Sequence, residues 1–179
     1  MHRDLEQVLV NERKISHLVK RIANEINKDL GGEPLLVVII LKGSTPFAMD
    51  LIKNLDMPVE IDFMQVSSYG KSTASSGFIN LKKDIEQDIT GKNVLIVEDI
   101  IDSGNTLNKI KTLFQDRNAK SVRICTLLDK PSRRVVDVKV DYVGTEIPDE
   151  FVVGYGLDYN EQYRNLPYVG VLKKSVYSN

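Results

Sequence analysis

The chain contains one cysteine, Cys125, and no tryptophan. A single cysteine excludes an intramolecular disulfide framework and a cysteine-based zinc site. Because Cys125 lies in the apolar stretch VRICTLL, we expect it to be a small buried residue of the core.

A surplus of charge is also absent, since 24 Lys and Arg residues stand against 25 Asp and Glu residues. The formal net charge is -1. This balance gives no whole-chain attraction to nucleic acid or to an anionic membrane, so we expect neither as a partner.

Long hydrophobic runs are missing as well. The opening stretch, MHRDLEQVLV, lacks the continuous apolar segment of a signal peptide, and no run approaches the roughly 20 apolar residues of a membrane span. We therefore expect a cytoplasmic protein. Its 179 residues can form one domain, 1–179, with a substantial core.

Helical and strand patterns alternate along the chain. Apolar residues at i, i+3, i+4 and i+7 predict an amphipathic helix over 11–30. A second helix is predicted to begin at Thr45 and a third to cover about 104–118. Short apolar or β-branched runs predict strands at 35–41, 59–66, 93–97, 121–129, 140–147 and 168–172. This order predicts an α/β fold with a mostly parallel twisted sheet flanked by helices.

Three polar stretches come directly at the ends of predicted strands: LKGS (41–44), EDIIDSGNT (98–106) and DKPSRR (129–134). Ligands of such folds bind beyond the carboxyl ends of the strands, so we expect these stretches to share a site. The small, polar segment SSYGKSTASSG (67–77) is either a solvated hairpin tip or a mobile lid over that site.

The stretch VLIVEDIIDSGNT (94–106) combines two acids with a turn of small, hydroxyl-bearing residues. The turn can direct several backbone N–H groups at one anion, such as a phosphate monoester, with help from the dipole of the following helix. The same residue types are favoured helix caps, so a loop without a ligand also explains the turn alone. Glu98 and Asp99 favour a functional site, because carboxylates at a strand end hold Mg²⁺ or accept hydrogen bonds from sugar hydroxyls.

The pattern of 94–106 resembles the signature of the type I phosphoribosyltransferases, which bind phosphoribosyl pyrophosphate. Four further stretches are similar, in order and spacing, to the hypoxanthine-guanine phosphoribosyltransferase family: LKGS (41–44), SSYG (67–70), LLDKPSRR (127–134) and FVVGYGLDYNEQYRNLPYVGVL (151–172). The resemblance covers 35–172 and implies that family's fold, with a small hood region and a flexible active-site loop. It also implies Mg²⁺-dependent transfer of 5-phosphoribosyl to N9 of hypoxanthine or guanine in purine salvage, giving IMP or GMP and pyrophosphate.

The resemblance further implies a role for individual residues. Asp102 would be the catalytic acid/base near N7 of the purine. Glu98 and Asp99 would meet the ribose hydroxyls, partly through Mg²⁺, and Asp158 would bind a second Mg²⁺ that carries pyrophosphate.

The remaining implied positions bind substrates. The 5′-phosphate would be held by Ser103, Gly104, Asn105 and Thr106. The pyrophosphate would be held by Lys42, Gly43 and Arg164, with Lys42 in a turn that family members often build with a non-proline cis peptide. The purine would meet Lys130 at its 6-oxo group, Phe151 by stacking and Val152 through the backbone. Ser68 and Tyr69 would belong to the closing loop.

Each of these residues also has an ordinary explanation when taken alone. Lys130 fits a solvated turn, Phe151 fits the core, and Arg164 fits a surface ion pair. The alternative function is an RNA-binding regulator built on the same fold, for which we would expect a basic face. For the enzyme, the expected partners are small-molecule substrates and further copies of the chain, as a dimer or tetramer.

Overall fold

The computed structural model of the protein describes residues 1–67 and 80–178. Its helices are α1 (Glu12–Leu30), α2 (Thr45–Ile52), α3 (Asn105–Asp116) and α4 (Lys174–Tyr177). Its strands are β1 (Leu5–Val10), β2 (Leu35–Ile40), β3 (Val59–Ser67), β4 (Asn80–Lys83), β5 (Asn93–Ile101), β6 (Ser121–Asp129), β7 (Tyr142–Glu146), β8 (Val152–Val153) and β9 (Val169–Leu172). The predicted alternation of helices and strands is confirmed.

Six strands form the main sheet, in the order β4-β3-β2-β5-β6-β7. Its strand pairs are parallel except β3–β4, which is antiparallel at one edge. β2 is buried along its whole length, as expected of a strand with helices on both faces. The mostly parallel sheet predicted from the sequence is confirmed.

An apolar layer covers each face of the main sheet. On one face, α1 and α2 contribute Ile22 and Phe47 to a cluster that also holds Cys125. On the other face, α3 packs through Ile110 and Phe114. Cys125 is fully buried, which confirms its prediction as a core residue.

The longest predicted helix has defined ends. The side chain of Asn11 accepts a hydrogen bond from the Lys14 backbone N–H at 2.9 Å, which caps the start of α1. At its other end Gly31 takes the left-handed conformation, with φ 54°. Across the parts of the chain that the structure describes, no helix has the length and apolar character needed to cross a membrane.

A separate antiparallel sheet contains β1, β9 and β8, in that order. The sequence pattern predicts neither β1 nor β8. The predicted strand at 168–172 is confirmed as β9, which pairs with β1 and β8 and not with the main sheet. This small sheet is the hood region that the resemblance implies.

A correction concerns β5, which continues beyond the predicted end at 97. Its pairing with β6 runs on through Glu98, opposite Thr126, to Ile101, opposite Asp129. The two acids therefore lie within the strand, on a backbone fixed by the sheet. The carboxyl ends of β2, β5 and β6 meet at one edge and bring the three polar stretches together.

Candidate active site

Glu98 and Asp99, called here the acid pair, are partly buried near the end of β5. Burial raises the pKa of Glu98 well above its usual value, and the neighbouring Asp99 charge raises it further. Burial also raises the pKa of Asp99, to about 6. Two adjacent carboxylates in this position are poorly solvated, so donors or a cation would stabilise their charged forms.

The turn after β5 leads into the N-terminus of α3. Gly104 has φ 83°, and a Cβ at this position would lie 2.8 Å from a methyl group of Val138. The Asn105 backbone N–H donates to Ser103 Oγ at 3.3 Å, and no side chain caps the helix at Gly104. Because the first N–H groups of a helix lack partners within it, this end of α3 can receive an anion.

The LKGS turn lies opposite the acid pair. The peptide bond between Leu41 and Lys42 is cis, as the resemblance implies. A Cβ on Gly43 would lie 1.8 Å from Asp99 Oδ2, so only glycine allows the backbone this close to the acid pair. A Cβ on Gly156, which has φ 99°, would lie 1.9 Å from the Gly43 carbonyl oxygen. Glycine is therefore required on both sides of this close approach.

Charged side chains from 158–164 complete this side of the site. Arg164 Nη1 donates to the Gly156 carbonyl at 2.8 Å, and Arg164 Nη2 pairs with Asp158 Oδ1 at 3.0 Å. Lys42 Nζ pairs with Glu161 Oε2 at 3.0 Å and holds the pKa of Glu161 below its usual value. Arg164 therefore makes an ion pair, as the ordinary explanation has it, but this pair lies in the wall of a cleft.

These elements enclose a cleft of about 430 Å³, called here the phosphate cleft. Among its lining residues are Lys42, Gly43, Glu98, Asp99, Asp102, Ser103, Gly104, Thr106, Asp158 and Arg164. The structure therefore brings together most of the positions predicted for phosphate, ribose and metal. Asn105 lies at the same helix start, with its side chain exposed.

A second cavity of about 380 Å³, called here the base pocket, adjoins the cleft. Its lining includes Lys130, Phe151 and Val152, the three residues predicted to bind the purine. Asp102 and Ile100 line both cavities. Asp102, an exposed residue, therefore lies where the two spaces meet.

Lys130 is buried, with only 8% of its surface exposed, so the ordinary explanation as a solvated turn lysine is wrong. Its ammonium donates to the Glu150 carbonyl at 2.7 Å, and its backbone N–H donates to the Ile101 carbonyl at 3.0 Å. An ammonium has three donors, so two remain for a ligand. Lys130 is thus held by two elements as a hydrogen-bond donor of the base pocket.

Phe151 is 38% exposed, so the explanation as an ordinary core residue is also wrong. Val152 is buried in β8, where it pairs with Val171 of β9. The hood therefore presents an aromatic ring and an adjacent stretch of backbone to the base pocket.

Three residues that contact the site were not predicted from the sequence. Gly156 and Glu161 lie inside the segment that carries the resemblance, but only their contacts with the LKGS turn reveal a role. Arg134 was also missed: it donates to the Asp102 carbonyl at 3.0 Å and pairs with Asp129. Ser68 and Tyr69 lie outside the described residues.

Comparisons with known proteins agree with this geometry. Residues 7–160 match the family described as phosphoribosyl transferase domain. A hypoxanthine-guanine phosphoribosyltransferase of Streptococcus pneumoniae (strain ATCC BAA-255 / R6) is 54% identical and aligns with 100% of this chain and 99% of its own. That of Bacillus subtilis (strain 168) is 52% identical, with the same coverage.

A solved structure is similar to this chain in both fold and sequence. The crystal structure of a hypoxanthine phosphoribosyltransferase from Staphylococcus aureus has a TM-score of 0.95 at 53% identity. The match covers 100% of this chain and 97% of that one. With its phosphate cleft, base pocket and full-length relatives, the chain belongs to the hypoxanthine-guanine phosphoribosyltransferase family.

Proposed function

We propose that the two adjoining cavities transfer the 5-phosphoribosyl group of phosphoribosyl pyrophosphate to N9 of hypoxanthine or guanine. The observation that carries this proposal is the position of Asp102, in the wall common to the phosphate cleft and the base pocket. A group-transfer enzyme needs its two substrates side by side and a proton-transferring group where they meet. The arrangement of these cavities meets both needs.

The donor is proposed to occupy the phosphate cleft. Its 5′-phosphate would lie on the N-terminus of α3, where free N–H groups, the helix dipole and the Ser103 and Thr106 hydroxyls favour an anion. Its ribose hydroxyls would meet the acid pair. Its pyrophosphate would lie between Lys42 and Arg164, the cations of the opposite wall.

The acid pair and Asp158 are the groups proposed to hold Mg²⁺. They fit this ion, since carboxylate oxygens are its preferred ligands and all three residues line the same cleft. Within the described ranges, no three such side chains form a ready-made cage, but Mg²⁺ is usually held by one or two carboxylates together with substrate phosphates. When bound, the ion would neutralise negative charge on the departing pyrophosphate.

The base is proposed to bind in the base pocket, on the ring of Phe151. Lys130 would donate a hydrogen bond to the 6-oxo group, and the backbone of Val152 would meet the edge of the purine. An ammonium donates hydrogen bonds and accepts none, so it favours a 6-oxo group over a 6-amino group. This selectivity supports hypoxanthine and guanine as acceptors and disfavours adenine.

In the reaction, the bond from C1 of the ribose to N9 forms and the bond from C1 to the pyrophosphate oxygen breaks. The sugar becomes oxocarbenium-like between the two events, and the carboxylates of the acid pair stabilise positive charge there. The proton on N7 of the base passes to the Asp102 carboxylate. Lys42 and Arg164 stabilise the negative charge that accumulates on pyrophosphate.

A product assay with purified protein tests this function. With phosphoribosyl pyrophosphate and Mg²⁺, we expect hypoxanthine and guanine to yield IMP and GMP with one pyrophosphate each, and adenine to yield far less product. Chelation of Mg²⁺ should abolish turnover, and added Mg²⁺ should restore it. Equal rates with adenine, or no product from any base, would contradict the proposal.

The alternative of an RNA-binding regulator is not supported by the comparisons, which match enzymes over the full chain. Titration of labelled RNA against the protein at physiological salt would reveal such a function. We expect no binding beyond the weak, salt-sensitive association common to many proteins.

Binding of the donor should depend on pH through the acid pair. The raised pKa of Asp99, about 6, means that its carboxylate is protonated at lower pH and cannot bind Mg²⁺ or accept two ribose hydrogen bonds. Affinity for Mg²⁺ and phosphoribosyl pyrophosphate should therefore rise with pH through about 6, and each pH unit below that value should lower it by roughly tenfold. Calorimetric titration across this range measures the effect.

The matched control is Asp99→Asn, which removes this titration and leaves those of Glu98 and of the ligand's own phosphates. Its affinity should be lower at high pH and less dependent on pH. An identical pH profile in both proteins would exclude Asp99 as the titrating group.

A further inference from the structure

Two aromatic side chains contact the ring of Phe151. Tyr177 of α4 stacks on it, with the ring centroids 4.9 Å apart and the planes at 24°. The centroids of Tyr159 and Phe151 lie 5.7 Å apart, with the ring planes at 87°. Phe151 is nevertheless 38% exposed. The Tyr159 and Tyr177 centroids lie only 6.4 Å apart, so both rings lie towards the same side of Phe151. The face of Phe151 away from Tyr177 is the free face, and Phe151 lines the base pocket.

The position of Tyr177 is itself fixed by the hood. α4 follows β9 directly, and Lys173 between them donates through its backbone N–H to the Asp4 carbonyl at 3.0 Å. Lys173 Nζ also donates to the Arg3 carbonyl at 2.6 Å. Val176 and Tyr177 pack against the apolar cluster of Leu5, Val153 and Leu172. Tyr177 therefore rests on a braced support and also lines the base pocket.

We propose that Tyr177 is a positioning residue for base binding: it holds the Phe151 ring so that the free face is presented to the purine. This inference rests on the proposed function. A phenylalanine exposed at a pocket would otherwise sample several side-chain rotamers, and the base would have to select one of them on binding. Stacking against Tyr177 removes that freedom beforehand, so the base binds a preorganised surface.

The test is Tyr177→Leu, which keeps apolar contact with the hood and removes the stacked ring. We expect the KM for hypoxanthine to rise roughly three- to tenfold, the fold-change that corresponds to one aromatic pair. The KM for phosphoribosyl pyrophosphate and kcat should remain near those of the wild type, because Tyr177 lines the base pocket and not the phosphate cleft. Tyr177→Phe keeps the ring and should restore the wild-type KM.

Tyr168→Leu is the matched control. Tyr168 packs against the same apolar cluster and accepts a hydrogen bond from the His2 backbone N–H at 3.0 Å, but it does not line the base pocket. Its replacement should leave the KM for hypoxanthine unchanged. Melting temperatures of all variants separate a loss of stability from a loss of base binding.

A second measurement does not depend on Tyr177→Leu being stable. Because the chain contains no tryptophan, Tyr177→Trp introduces a single tryptophan, whose emission can be excited selectively, at the position that stacks on Phe151. Titration with GMP should change its emission, whereas Tyr168→Trp should give no change. Absence of any response at 177 would overturn the inference.

Three kinetic outcomes would also overturn it while leaving the proposed function intact. The first is an unchanged KM for hypoxanthine in folded Tyr177→Leu. The second is a lowered KM for hypoxanthine, which would place Tyr177 in the space of the base. The third is an equal rise in KM for hypoxanthine and for phosphoribosyl pyrophosphate. A wild-type protein without transferase activity would instead refute the proposed function.

Discussion

Replacing Asp102 with asparagine is expected to lower kcat by roughly 10²- to 10⁴-fold, the usual contribution of a general acid/base. Asparagine keeps the shape of the side chain but cannot take a proton from N7 as N9 attacks. The Asp102 carbonyl, not its carboxylate, accepts the hydrogen bond from Arg134, so the backbone at the junction should be unchanged. Steady-state kinetics with both substrates measure the loss.

Two controls accompany this variant. The affinity of Asp102→Asn for phosphoribosyl pyrophosphate should match that of the wild type, since the proposed 5′-phosphate site consists of backbone groups and hydroxyls farther along the turn. Asp149→Asn alters an exposed acid at the base pocket that pairs with Arg133 at 3.6 Å, and it should have little effect on kcat. A near-normal kcat in Asp102→Asn would remove Asp102 from the mechanism.

Replacing Lys130 with methionine should raise the KM for hypoxanthine and guanine by roughly 10- to 100-fold, because it removes a charge-assisted hydrogen bond. Methionine retains an apolar stem of similar length, so the buried volume around Lys130 stays filled. The KM for phosphoribosyl pyrophosphate should change much less. The preference for hypoxanthine over adenine should fall in the same measurement.

Lys139→Met serves as the comparison, because Lys139 is an exposed lysine that pairs with Asp141 at 3.5 Å and lines neither cavity. It should behave as the wild type. Equal changes in KM for both substrates of Lys130→Met would count against the assignment of Lys130 to the base.

The main sheet was predictable because its most buried parallel strands have continuous apolar sequences. In β2 all six residues are buried, and only a strand covered on both faces produces that pattern in so short a segment. The hood was harder to predict. β1 buries only its two terminal residues, and its partner β9 comes near the other end of the sequence, so neither strand carries a local signal of the pairing.

The turn after β5 (102–106) was predictable for a related reason, since its residues are adjacent in the sequence and form a recognisable pattern. Roles that depend on contacts across the fold were not. Gly156 is required by the Gly43 carbonyl, and Tyr177 acts on a ring supplied by a different part of the hood. Glycine and tyrosine are common in loops and near chain surfaces, so only the folded geometry separates these positions from ordinary ones.

The central claim is that donor and acceptor meet at Asp102, one in each cavity. A crystal structure of the protein with Mg²⁺, phosphoribosyl pyrophosphate and an unreactive purine whose N9 is replaced by carbon tests it most directly. We predict the 5′-phosphate on the N-terminus of α3, the 6-oxo group within hydrogen-bond distance of Lys130 Nζ, and the Asp102 carboxylate against N7. A base bound outside the pocket of Lys130 and Phe151, or an Asp102 carboxylate turned away from N7, would contradict the account.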